Sequence, residues 1–256
     1  MYWLVSMTGN RQTLFNLDLN VTSPHFRIYR EADEETGEDF YLQFPHIKGN
    51  SDLNQVVPAT KGLIELLNGS IAITNGFNHH ANLGGIEVDA LFSSPSIDST
   101  RWNKQQYLES LPSSNPFIGQ EDTSKILEPF NSKVSAYIEM CQKYQDVYIL
   151  LRQASASLDW RNLYCIWDTI CHYGGGQKNV ISDLSLNANE ISAFTGSANS
   201  YGLLGISARH GVKGWAVPTN TVTLEQARDI IHDVVVKYLA HKYCFNCEKK
   251  AWEATR

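Results

Sequence analysis

The chain has 256 residues, 43% hydrophobic and 19% charged, which is enough apolar sequence for one large domain or two modest ones and far from a disordered composition. Its net charge of −6 is uneven: residues 1–130 carry 8 Lys/Arg against 16 Asp/Glu, and residues 131–256 carry 13 against 11. That distribution excludes a broad basic footprint for duplex nucleic acid and leaves only a local contact in the second half.

Residues 1–10 lack the basic start and long apolar stretch of a secretory leader, and no later window reads as a membrane span, so a cytoplasmic protein with no membrane partner is expected. Five cysteines (Cys141, Cys165, Cys171, Cys244, Cys247) all fall in the second half. An odd number in helix-like segments is the usage of reduced thiols that serve as small core hydrophobes.

In chain order, residues 2–7 and 14–21 read as strands, the second because Leu17, Leu19 and Val21 alternate with Asp18 and Asn20. Residues 25–31 and 40–47 read as two strands around an acidic hairpin loop at 33–39. Pro58 followed by Leu63, Leu66 and Leu67 predicts a short helix that stops near Asn68 and Gly69, with further strands at 70–74 and 86–92. From 93 to 129 the chain is rich in Ser, Pro, Asn and Asp and reads as a connection.

Beyond it the hydrophobic period becomes helical. Residues 133–156 place Tyr137, Cys141, Tyr144, Tyr148 and Leu151 on one stripe. Asp159 caps a helix whose Trp160, Tyr164, Trp167 and Cys171 form another, ended by the Gly174–Gly176 run; residues 189–194 add a short helix. In the last helix Thr223 and Gln226 fit a capping box ahead of Leu224, Ala227, Ile231, Val234 and Tyr238. The expected fold is therefore α+β: a β-rich domain at 1–95, an irregular linker at 96–130 and an all-helical bundle at 131–256.

The segment richest in chemistry is residues 206–211, Ile-Ser-Ala-Arg-His-Gly, where Arg209 and His210 put a permanent cation beside a titratable imidazole. Together with the following loop, the Leu-Glu-Gln-Ala-Arg start of the last helix and the upstream Asp-Trp-Arg-Asn-Leu-Tyr at 159–164, it resembles the C-terminal part of HEPN domains. These are helical bundles of prokaryotic defence and toxin-type systems. The resemblance covers residues 131–245 and implies an RNA-directed module, either binding RNA or cleaving it without metal or other cofactor, with paired motifs across a homodimer. His210 matches the family His and Gly211 the small residue after it. In the family an Arg precedes the His with four to six residues between them, where this chain has Gly205, Leu204 and Leu203.

Read on their own chemistry, His210 offers a base and Arg209 a cation for phosphate charge, with Asp168 a candidate to orient the imidazole. Alternatively Arg209 and His210 pair with an acid such as Asp168 and brace a loop. The corresponding functional alternative is a non-catalytic protein that assembles with itself or a partner protein.

Other motifs carry less. Arg228 and His232 are expected as surface pairs with Asp229 and Asp233. His241, Cys244 and Cys247 lack a convincing fourth zinc ligand, and the pair His79 and His80 lacks carboxylates, so no metal site is expected. The glycine run before Lys178 lacks Walker spacing, and no Gly-x-Ser-x-Gly or His-Glu-x-x-His motif occurs.

Overall fold

The computed structural model describes residues 2–33, 37–47, 52–94, 102–103, 112–117, 132–212 and 214–243. Its sheet is antiparallel, formed by β1 (Tyr2–Thr8), β2 (Arg27–Asp33), β3 (Gly37–Gln43), β4 (Glu87–Ser94) and the short β5 (Trp102–Asn103) in the order β2-β3-β1-β4-β5. Ile28 pairs with Leu42, Leu42 with Val5 and Val5 with Leu91, which lays one buried row across four strands. That row is the unit of cross-strand packing. The strands expected at 2–7, 25–31, 40–47 and 86–92 correspond to β1 to β4, with residues 45–47 forming a 3₁₀ turn instead of extending β3.

The strand expected at 14–21 is a helix, α1 (Arg11–Asn20). Asn10 accepts a hydrogen bond from the Thr13 backbone N–H at 3.1 Å, so a capped start overrides the alternation downstream. Its buried residues, Leu14 and Leu17, are three apart, whereas Leu19 is exposed.

The largest correction is α2 (Leu53–Asn75), 23 residues capped by Asp52, which runs through both the expected stop at Gly69 and the expected strand at 70–74. Gly69 is a contact point with the second half of the chain: a Cβ there would lie 1.9 Å from the Leu151 carbonyl oxygen. Ser70 and Thr74 donate back to the carbonyls of Leu66 and Ser70, which satisfies their hydroxyls within the helix. α2 is also long and apolar enough to cross a membrane, contrary to the sequence expectation, but 78% of its most apolar window is buried inside the fold. A short helix, α3 (Phe77–Leu83), follows.

The helical part comprises α4 (Lys133–Lys143), α5 (Gln145–Ser155), α6 (Trp160–Tyr173), α7 (Gln177–Asp183), α8 (Ala188–Asn199), α9 (Tyr201–Leu204) and α10 (Leu224–Tyr243). The single helix expected at 133–156 breaks at Tyr144, whose extended backbone ends α4 and starts α5, and Tyr144 is exposed. Trp160, Trp167, Ile231 and Val234 are buried, while Tyr148 is only partly so. Asp159 caps α6, and Thr223 and Gln226 exchange hydrogen bonds at 2.9 and 3.2 Å as a capping box for α10. No strand occurs among the described residues after 131.

α2 packs against α4 and α5, and one hydrophobic cluster contains residues from Trp3 to Leu239. Most of the expected linker lies outside the described residues. Its described part includes β5 and Ser114, whose N–H donates to the Pro58 carbonyl at 3.0 Å where Gly62 of α2 makes room.

Candidate functional site

One face of α6 organises the segment singled out by the sequence. Arg161, Tyr164 and Asp168 follow three and four apart, so they project along one side of the helix. Arg161 donates to the carbonyls of Ile206 and Ala208. Arg209 donates through Nη2 to Oδ2 of Asp168 at 2.7 Å, and its guanidinium carbon lies 3.7 Å from the centre of the Tyr164 ring. Its backbone N–H donates to the Ala198 carbonyl of α8 at 2.9 Å, so Arg209 ties the loop to two helices.

Arg209 and Asp168, two of the three expected site residues, are thus brought together, and His210 follows in a partly buried position. The carboxylate expected to orient the imidazole of His210 engages the guanidinium of its neighbour. Both partners reach solvent, at 30% and 49% side-chain exposure. An ion pair so placed contributes about 0–1 kcal/mol, and stacking on Tyr164 about 0.5–1 kcal/mol.

Past Arg209 the chain crosses the surface to α10. Two attachments hold it. Ser200 donates to the Ala216 carbonyl at 3.2 Å, and the Trp215 backbone sits so close to Gly202 that a Cβ there would come within 2.4 Å of the Trp215 oxygen. Trp215 is 73% exposed, and its ring meets Tyr201 edge-on at 5.4 Å. Five of the eight exposed large hydrophobics among the described residues lie between 203 and 217, namely Leu203, Ile206, Val212, Trp215 and Val217, so the apolar surface is concentrated here. Sequence reasoning missed Arg161, Tyr164 as a platform, and Trp215; the 161-164-168 spacing was the available signal for the first two.

The remaining motifs are structural. Arg228 donates to the Leu158 carbonyl and His232 meets the Ile73 carbonyl, both at 2.9 Å, so these residues bind α10 to its neighbours instead of pairing with Asp229 and Asp233 on the surface. Asp229 accepts from Asn78, and Asp233 pairs with Lys237. Gly175 and Gly176 adopt φ of 77° and 106°, the turn conformation that ends α6. His80 is buried, and that burial, with His79 adjacent, holds its imidazole below the usual value. No group of three or more His, Cys, Asp or Glu among the described residues is placed to hold a metal; Cys244 and Cys247 lie outside them.

A second polar cluster locks α10 to α5. Asp146, almost fully buried, accepts hydrogen bonds from Tyr238 at 2.5 Å, Tyr243 at 2.6 Å and Lys242 at 2.8 Å. Burial opposes its charge, but the bonds from Lys242, Tyr238 and Tyr243 outweigh it and hold the carboxyl below its usual range. Burial and the same carboxylate push both tyrosines upward.

No family model, curated protein or solved structure matches the chain.

Proposed function

We propose that the chain is a cytoplasmic, HEPN-like RNA-directed module that binds single-stranded RNA through the segment between α9 and α10. The observation that carries this reading is the placement of Trp215, the most exposed aromatic among the described residues, in the same surface segment as Arg209 and His210. Unpaired bases stack on exposed aromatic faces while flanking cations meet phosphate, and this combination needs neither a metal nor a basic protein overall. Binding is favoured over cleavage because Arg209 adjoins His210 in sequence and its guanidinium is engaged by Asp168 and Tyr164. A role in a defence or toxin-type system rests on the resemblance alone.

The test is a fluorescence-anisotropy titration with labelled single-stranded RNA. Trp215→Ala is expected to weaken binding about 5- to 150-fold, matching the loss of roughly 1–3 kcal/mol of stacking. Unchanged binding refutes the reading.

A second reading, a non-catalytic surface for self-assembly or a partner protein, is favoured by the aliphatic character of Leu203, Ile206, Val212 and Val217. Light scattering across a concentration series distinguishes it: self-association abolished by Ile206→Ser, with no RNA binding in the wild type, selects assembly.

A further inference from the structure

Away from the α6 face, three titratable side chains from three segments meet where the connection between α1 and β2 reaches α4. His25, 1% exposed, lies between α1 and β2. Its Nδ1 faces Nε2 of His46 at 3.2 Å, and its Nε2 faces Oε2 of Glu139 at 2.7 Å. His46 belongs to the 3₁₀ turn Pro45–Ile47; Glu139 belongs to α4, where Lys143 holds its other oxygen at 3.0 Å. Phe117 sets its ring edgewise against both imidazoles, and Phe44 does so against His46. Among the described residues, the titratable and charged groups facing His25 are therefore His46 from the turn and Glu139, backed by Lys143, from α4.

Proton counting follows from these contacts. Nε2 of His25 faces a carboxylate and must carry hydrogen. The two imidazoles lie 18° from coplanar with centres 5.4 Å apart, so they meet nitrogen to nitrogen, as an N–H···N hydrogen bond requires. That bond holds one proton. With both rings neutral, His46 donates to a bare Nδ1 of His25; with one ring charged, the proton is donated from either side. With both rings charged, two N–H groups point at each other and the contact is lost. The hydrogen bond from His25, together with Lys143, outweighs burial and keeps the Glu139 carboxyl below its usual range, so it remains the anion throughout.

From this geometry we infer that Glu139, His25 and His46 form a proton-limited clasp, closed with zero or one charged imidazole and opened by the second. Opening frees the turn at 45–47 from the connection at 22–26. Those segments also wall a cleft of about 270 Å³, with Ser23 and Phe26 on one side and Phe44 and Pro45 on the other. Acid therefore loosens that cleft and leaves the α6 face untouched.

The experiment is a titration of the full chain, labelled with ¹⁵N-histidine, followed by imidazole NMR from about pH 8 to about pH 5, the range in which histidines ordinarily change charge. Expected are two coupled steps shared by His25 and His46, the second coinciding with loss of amide-exchange protection at Ile47, whose N–H donates to the Phe44 carbonyl. His46→Gln retains a side-chain donor for Nδ1 of His25 but cannot titrate, so the second step and the loss of protection should both disappear. Independent single-step titration of the two wild-type rings overturns the inference without recourse to any variant. Persistence of the acid opening at the same pH in His46→Gln overturns it equally.

Discussion

Replacing Arg209 with Ala separates bracing from binding, because the structure sets an upper limit on what bracing is worth. The side chain makes one solvent-reaching ion pair with Asp168 and one stack on Tyr164, while the backbone bond to Ala198 survives the substitution. Summing about 0–1 kcal/mol for the pair and about 0.5–1 kcal/mol for the stack gives a loss of about 0.5–2 kcal/mol. In a chain of this size that lowers the melting temperature by roughly 1–8 °C. The companion variant Asp168→Asn removes the pair but keeps the cation and the stack, so it should melt within about 1 kcal/mol of wild type. RNA titrations at two salt concentrations then discriminate. If Arg209 also meets phosphate, Arg209→Ala flattens the salt dependence by about 0.7 in slope, the contribution of one single-strand phosphate contact. Asp168→Asn binds at least as well as wild type. An unchanged slope in Arg209→Ala, or a parallel loss of binding in both variants, refutes the assignment of Arg209 to RNA contact.

Other outcomes follow from the same contacts. Helix propensity alone predicts that Gly69→Ala stabilises α2 by about 1 kcal/mol; the 1.9 Å approach to the Leu151 oxygen predicts instead a loss of about 3 kcal/mol or more, read by urea denaturation. Asp146→Asn should cost about 2–3 kcal/mol, less than a fully buried pair because Lys242 retains access to water. Since the folded Asp146 carboxyl lies below its unfolded value, its contribution is present above the ordinary carboxylate range and is lost as pH falls through the folded value. Wild type and Asp146→Asn should therefore converge in stability at strongly acid pH, as pH-dependent melts would show. Elemental analysis of purified protein should return no stoichiometric zinc; one zinc per chain would require the C-terminal His241, Cys244 and Cys247 to find a fourth ligand.

Where sequence signals were local, they located the elements. Asp159, Thr223 and Gln226 declare helix starts through bonds that span two or three residues, and the strands β1 to β4 announce themselves by composition. Apart from α1, whose local cap at Asn10 overrides the alternation after it, and the break at Tyr144, failure came where a residue's meaning depended on a distant partner. Gly69 reads as a terminator until the carbonyl of Leu151 is known to need its missing side chain, and that carbonyl belongs to the other half of the chain. His25 shows no motif at all, since its partners His46 and Glu139 lie 21 and 114 positions away. Its significance arises only when the connection between α1 and β2 meets α4.

The candidate site was half legible for the same reason. Pairing of Arg209 with Asp168 was open to sequence reasoning, because an exposed cation beside a helix face seeks an acid on that face. The exposed segment was not, because hydrophobicity alone predicts the opposite outcome. Burying a Val, Ile or Trp side chain is worth about 1.5–3 kcal/mol, so Ile206, Val212, Trp215 and Val217 have every incentive to fold inward. They stay out because the backbone beneath them is fixed: Arg161 holds the carbonyls of Ile206 and Ala208, Arg209 is bound to α6 and α8, Ser200 holds Ala216, and Gly202 admits Trp215. On the proposed RNA reading, bracing and binding are therefore compatible roles for Arg209. The brace keeps an apolar surface presented to solvent, and on the proposed RNA reading a stacked base stabilises that surface by covering it.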